Sequence, residues 1–286
     1  MIRVFSGDGG GVFGTVPAYQ LKDYNIQEEF DVLGGCSISS ALVAGYSMGM
    51  TGLELLKSME VGLPQIFCRS WYSWMNPFGS KWPVKELTKW CKKNFDVKLG
   101  EINKPIFIVA MDFSHRRPKV FSNTDPRDVE TPLYEAVLAS VSAPTYFPPA
   151  GVYVDGGLFA NNPSVVTCAG ASNALGVDMD EINLFSIGTG KLHKKPIDMK
   201  KASEWNVIGW ASRIIPVMLE GGNEVGMEFI ARQLPLNSYV RSNMIDLDGD
   251  WEMDDPSLMP ELILRTKMQQ NRFEEVMNKF LKDSKK

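Results

Sequence analysis

The stretch Phe30-Asp31-Val32-Leu33-Gly34-Gly35-Cys36-Ser37-Ile38-Ser39 reads as a strand, a tight turn and the start of a helix. Its apolar run is short and ends in two glycines, and Ile38 to Met48 continues in small and apolar residues suited to a buried helix. A serine on such a turn has strained backbone angles, and its neighbours two before and two after must be small for strand and helix to approach. Gly35 and Ser39 hold those positions, so the usual final glycine is replaced by serine. The helix N-terminus favours negative charge developing near Ser37. Two readings fit this turn alone: Ser37 as a nucleophile, or Ser37 as a helix cap.

The same grammar recurs on both sides. Ile2 to Ser6 ends in Gly7-Asp8-Gly9-Gly10-Gly11 and precedes a helix expected over about 15–24. Val152-Tyr153-Val154 ends in Asp155-Gly156-Gly157, and Ile182 to Ile187 ends in Gly188-Thr189-Gly190. Ile106 to Met111 and Lys119 to Ser122 read as strands joined by a basic turn. Strands alternating with helical stretches predict a single α/β domain, with a central, mostly parallel sheet and helices on both faces. Parallel strands share a carboxyl edge where ligands bind, which would place the Asp8 loop, Ser37 and Asp155 on one rim.

Consecutive glycines at 9–11 let backbone N–H groups converge on an oxyanion or a phosphate. No Gly-Lys-Ser/Thr follows, and no G-x-G-x-x-G with a distant acidic residue is present, so an oxyanion site fits better. Asp-Gly-Gly at 155–157 is by itself a common turn; beside the other two motifs it becomes a candidate base. A triad would need an imidazole, and the two histidines are His115, in a basic turn, and His193, among lysines. The chain order Ser37, Asp155, His193 keeps the triad open. In the dyad alternative, Asp155 takes the Ser37 proton and returns it to the leaving group.

Composition narrows the classes further. A chain of 286 residues that is 44% apolar can bury a large core. A net charge of −4 argues against a nucleic-acid partner. The short basic runs Arg116-Arg117-Pro118-Lys119 and 191–195 suit solvated loops. The four cysteines form no CxxC pair, which with no signal-like N-terminus predicts a cytoplasmic protein. No stretch reaches the length of a membrane span, so any membrane contact is expected to be peripheral. Residues 67–82 hold six aromatics, suited either to a packed cap over the sheet or to a lid that docks on a membrane. Residues 204–219 read as a helix with a core face, or as a second covering helix. Asp246-Leu247-Asp248-Gly249-Asp250 has its glycine misplaced for an EF-hand loop, so no metal is expected there.

The three motifs, in this order and spacing, resemble the patatin-like phospholipases, with a D-G-G-G-x-R-G loop, a G-x-S-x-G elbow and a D-G-G/A motif. Ser142-Ala143-Pro144-Thr145-Tyr146-Phe147-Pro148-Pro149, Ser186 to Gly190, Tyr239-Val240-Arg241 and Met253-Asp254-Asp255 are also similar to family segments. The resemblance covers about 2–260. It implies a patatin-like acyl hydrolase domain over 1–280, with an aromatic-rich cap or lid at about 64–93; 281–286 is read as a C-terminal tail in which Ser284-Lys285-Lys286 is expected to fray. It further implies Ser37 as nucleophile, Asp155 as base, and Gly9, Gly10 and Gly11 as the oxyanion hole. The implied reaction is hydrolysis of a phospholipid or other acyl-lipid ester through an acyl-enzyme, with no metal or cofactor. Phe13 stands where the family has arginine, and Ser39 where it has glycine. These departures keep two alternatives in view: a non-catalytic lipid- or effector-binding protein, and an esterase or thioesterase acting on small soluble esters.

Overall fold

The computed structural model describes residues 1–68, 79–193, 196–206, 209–210, 213–214, 217–218, 223–249 and 251–284. Strands β1 (Ile2–Gly7), β2 (Val32–Cys36), β3 (Ile106–Asp112), β4 (Arg117–Ser122), β5 (Tyr153–Asp155), β6 (Ile182–Ile187) and β8 (Ser238–Ser242) form one seven-stranded sheet. Its order is β4-β3-β2-β1-β6-β8, with β5 on β3. The pairs β1–β2, β1–β6, β2–β3 and β6–β8 are parallel, whereas β4 and β5 run antiparallel to β3. Strands β7 (Lys191–His193) and β9 (Asp246–Asp248) pair separately.

Side-chain alternation along the strands divides the core in two, as a strand buried on both faces requires. Phe5, Leu33, Ile106, Ile108 and Phe185 belong to the larger apolar cluster. There they pack with residues of α1 (Thr15–Gln20), α3 (Ile38–Ser47), α4 (Gly52–Ile66), α5 (Val84–Asn94), α6 (Leu133–Val141) and the long α11 (Met259–Asp283). The intervening residues Val4, Val32, Phe107, Ile182 and Leu184 meet Cys168 and Ala171 of α8 (Ser164–Leu175) in a second cluster. The short helices α2 (Ile26–Glu29), α7 (Gly157–Ala160) and α9 (Met199–Ala202), and α10 (Asn223–Ala231), complete the named elements.

The α/β sheet is as the glycine-ended strands imply, with four departures. The Asp155 strand starts one residue later than expected and is antiparallel, so Asp155 does not share a parallel rim with Ser37. The helix expected at 15–24 ends at Gln20 and is preceded by a 3-10 turn, Gly11–Gly14. The core face expected in 204–219 is absent among the described residues: Trp210, Ile214, Val217 and Met218 are exposed. In the C-terminal tail, Ser284, expected to fray, is held by a hydrogen bond, while 285–286 lie outside the described residues. Helix α11 runs through Asp283, and Arg3 donates to the Leu281 carbonyl and the Ser284 hydroxyl at 3.0 and 2.8 Å. That cation ties the chain's end to its first strand. Of the aromatic stretch, 69–78 lies outside the described residues. Its flanks Phe67 and Trp82 pack edge to face with centroids 5.8 Å apart.

Candidate active site

Ser37 sits at the first turn after β2 with φ 50° and ψ −126°, a left-handed backbone that a serine adopts only under constraint. The constraint is visible. A Cβ on Gly35 would strike the Ser39 carbonyl, so strand and helix cross too closely for any side chain there. The Ser37 N–H donates to Ser140 Oγ at 2.9 Å, and Ser140 Oγ donates on to the Val109 carbonyl at 2.6 Å. Ser37 therefore precedes α3 without capping it, and its hydroxyl points elsewhere.

It points to Asp155. Strand β2 ends with Cys36 opposite Val109, and β5 ends with Asp155 opposite Ala110, the next residue of β3. Because β4 pairs along the other edge of β3, β2 and β5 lie in one lane and meet carboxyl end to carboxyl end. The Ser37 hydroxyl donates to Asp155 Oδ2 at 2.6 Å, within the range of a charge-assisted bond. Oδ1 accepts from the Gly157 N–H at 2.7 Å. Asp155 is buried, and that desolvation pushes its pKa up to about 6, against the opposing pull of the Ser37 and Gly157 donors. A carboxylate so tuned is ionised at neutral pH yet more basic than an exposed aspartate.

Neither histidine joins this pair. His193 Nε2 lies 2.8 Å from Asp246 Oδ1, and His115 Nδ1 lies 2.9 Å from Asp112 Oδ2. Asp246 and Asp248 are in β9, and the Asp246 carboxylate faces His193.

The glycine loop crosses above Ser37 and is pinned from four directions. Asp8 N–H donates to Ile187 O at 3.0 Å, Gly9 N–H to Asn161 O at 3.0 Å and Val12 N–H to Met253 O at 2.8 Å. Thr189 Oγ1 donates to Gly9 O at 2.9 Å. A Cβ on Gly9 would touch Ser37 and Asn161, one on Gly10 would strike Thr189, and Gly11 has φ +57°. Of the three expected donors, Gly9 thus has its N–H committed to Asn161. Those of Gly10 and Gly11 make no protein hydrogen bond among the described residues, and both glycines line the same cavity as Ser37 and Asp155. Phe13 is buried in the core cluster, and Asp8 is bound by an arginine of β8: Arg241 grips both carboxylate oxygens at 2.9 and 2.5 Å.

Ser39 is accommodated by Gly7. Its Cβ lies 2.8 Å from where a Cβ on Gly7 would stand, so the small residue missing from the elbow is supplied by the neighbouring strand. Ser140 is a site residue that motif reading missed; it sits in an apolar helix and differs from a core residue only in its hydroxyl. Asn161 and Thr189 were inside quoted motifs, but their role in pinning the loop needs the third dimension.

The cavity holds about 220 Å³. Its walls are mostly apolar, with Ile38, Leu63, Phe67, Trp90, Val141 and Phe147 among them, while Asn161, Thr189, Lys191, Glu224 and Asp254 add polar groups beside the Ser37–Asp155 pair. The apolar part of such a chamber suits a hydrocarbon chain, and the Ser37–Asp155 pair opens onto it.

Residues 6–166, more than half the chain, match the patatin-like phospholipase family, and the chain belongs to it. Among similar proteins is the cGAMP-activated phospholipase of Escherichia coli (strain TW11681), 25% identical over 86% of this chain and 80% of that protein. Patatin-like protein 2 of Arabidopsis thaliana is 25% identical over 73% of this chain and 65% of its own length. The probable inactive patatin-3-Kuras 1 of Solanum tuberosum is 21% identical over 95% of this chain and 86% of that protein. VipD from Legionella pneumophila superimposes with a TM-score of 0.46 and 13% identity, over 96% of this chain and 66% of that one.

Proposed function

We propose that the chain is a lipid acyl hydrolase using Ser37 as nucleophile and Asp155 as its base. The observation that carries the reading is the 2.6 Å bond from a strained, strand-end serine to a buried aspartate inside an apolar cavity. As Ser37 Oγ attacks the ester carbonyl, its proton passes to Asp155 Oδ2. Negative charge collects on the former carbonyl oxygen, where the Gly10 and Gly11 N–H groups serve as donors, aided by the N-terminus of α3. Collapse of this adduct breaks the ester C–O bond, and Asp155 gives the proton to the departing alcohol oxygen. Water then attacks the acyl-Ser37 carbonyl, with Asp155 first taking a proton from it and then returning one to Ser37 Oγ. A fatty acid leaves and the serine is restored. All protons are accounted for by one carboxylate, so the reaction asks nothing of either histidine.

The cavity and the family support a substrate class, an acyl ester of a phospholipid or related lipid, and the proposal has it reached by peripheral contact with a membrane. No helix among the described residues is long and apolar enough to cross one. The test compares wild type with Ser37→Ala for release of fatty acid from phospholipid vesicles and from a short-chain ester, and for covalent labelling by a fluorophosphonate. Release and a Ser37 adduct in wild type only are expected. A folded wild type that neither turns over nor takes the label would instead be a binding protein. Turnover of the short ester alone would restrict it to soluble substrates.

A further inference from the structure

The two ends of the cavity differ. At one, Lys191 and Val225 are exposed, Val225 by 64%, which marks the mouth. At the other, Leu63, Ile66, Leu87 and Trp90 come from α4 and α5 and are all buried. Outside those helices lies a second hollow of about 630 Å³, whose walls include Ser58, Gly62, Glu86, Lys89 and Asn94. Trp90 is common to both linings. Its indole is the partition between a mostly apolar chamber and a groove with a charged rim.

The partition is held in place by specific contacts. Trp90 Nε1 donates to Ser58 through the carbonyl at 3.2 Å and the hydroxyl at 3.0 Å. The ring meets Phe95 edge to face, with centroids 5.7 Å apart. On α4, Gly62 has no Cβ, and one built there would fall on the indole. The helix backbone therefore lies flat against the ring and leaves it little room to swing aside.

We propose that the α4–α5 half of the cavity is an acyl-chain subsite with a blind end, and that Trp90 is the residue that sets the longest chain accepted. The assignment of the chain to an ester substrate rests on the hydrolase reading; the subsite itself needs only an apolar tail. Each methylene taken out of water should strengthen binding roughly fourfold. That gain continues until the chain's tip meets the indole. A longer chain must then leave methylenes in water or distort a packed wall, so its further gain is lost.

Binding of saturated fatty acids, from hexanoate to palmitate, to full-length Ser37→Ala protein by calorimetry tests this without any need for turnover. Affinity should climb with length and then level off. Adding Trp90→Ala should move the plateau to chains longer by about two or more methylenes, each adding roughly fourfold. Trp90→Phe, which keeps a ring in the gap, should hold the plateau near its original length. Trp90→Leu provides an intermediate if the alanine variant does not fold. A plateau unmoved in a Trp90→Ala or Trp90→Leu protein that still binds short chains normally would overturn the proposal. So would a parent protein that shows no plateau, or no binding. Fluorophosphonate labelling of the unaltered chain reports separately on Ser37, so loss of the hydrolase reading would not be mistaken for loss of the subsite.

Discussion

Asp155 carries a cost that its proposed role explains. Its folded pKa of about 6 stands above the ordinary 3.8, so the folded state holds that proton more tightly than the unfolded chain does. The stabilising contribution is complete below about pH 4 and is lost as pH rises through about 6. At neutral pH the buried carboxylate is thus a liability of on the order of 3 kcal/mol. Asp155→Asn, neutral at every pH, should abolish turnover yet melt higher than wild type at pH 8, with the advantage vanishing near pH 4; calorimetric melts at both values check it. In wild type the acid limb of kcat/KM should rise through about pH 6, since the base must be ionised to act. His193→Ala should leave that limb in place, and loss of activity in that variant would restore the triad. Gly7 and Ser39 make a second residue-scale case. Gly7→Ala should cost roughly 1–3 kcal/mol by overpacking against Ser39. Combined with Ser39→Gly, it should cost clearly less than the two single changes summed, as urea titrations of the four proteins would show. Ser39→Ala alone should be neutral or stabilising, because the Ser39 hydroxyl is buried without a hydrogen-bond partner among the described residues.

At the scale of elements, the site is a meeting of two strand ends on one edge of β3. Most of the sheet was legible in sequence because β1, β2, β3 and β6 are short apolar runs, three of them closing in glycine turns. The direction of β5 was not. A three-residue strand has no periodicity to read, and Asp-Gly-Gly looks the same at either kind of strand end. The three motifs could be named in advance, but their convergence depends on pairing between residues 28 or more positions apart. Helix α6 illustrates the remainder: its Ser140, and Ser142 just past its end, look like incidental polar residues. In space, Ser140 accepts the Ser37 N–H, and the Ser142 carbonyl accepts the Asp155 N–H at 2.9 Å. One helix end braces both members of the pair. Ser140→Ala removes the acceptor that holds the strained Ser37 backbone, an interaction worth about 1 kcal/mol. In the proposed mechanism kcat on a short-chain ester should fall up to about tenfold with KM little changed. An unchanged kcat in a folded variant would show that Gly35 and the helix crossing fix the turn unaided. The same packing logic limits the reading of 204–219, whose apolar spacing satisfies a core face although Trp210, Ile214 and Met218 turn outward, while Ile208 and Ile215 lie outside the described residues.

Across the whole molecule, the loop at Asp8 gathers its supports from distant parts of the chain: Asn161, Thr189, Arg241 and Met253. Arg241 is the most consequential, being 5% exposed and reaching from β8 past β6 to the end of β1. It also donates to Ser186 Oγ at 2.9 Å and approaches Glu224 and Glu228 at 3.2 and 3.5 Å. Three carboxylates around one guanidinium hold it firmly charged despite burial, which pulls the other way. This arrangement is asymmetric in its consequences. Arg241→Gln would leave Asp8 buried without its cation, with Glu224 and Glu228 nearby, and breaking a buried pair in this way costs roughly 3–5 kcal/mol. Asp8→Asn would leave the arginine its two glutamates and should cost less. Denaturant titration should therefore rank wild type above Asp8→Asn and Asp8→Asn above Arg241→Gln. Joining the two changes should recover part of the arginine variant's loss. Activity separates support of the loop from support of the fold. If Arg241 acts through Asp8 on the glycine donors, folded Asp8→Asn should lose kcat on a short-chain ester while Ser37 remains in place. A variant destabilised but undiminished in kcat would assign Asp8 and Arg241 to the fold alone.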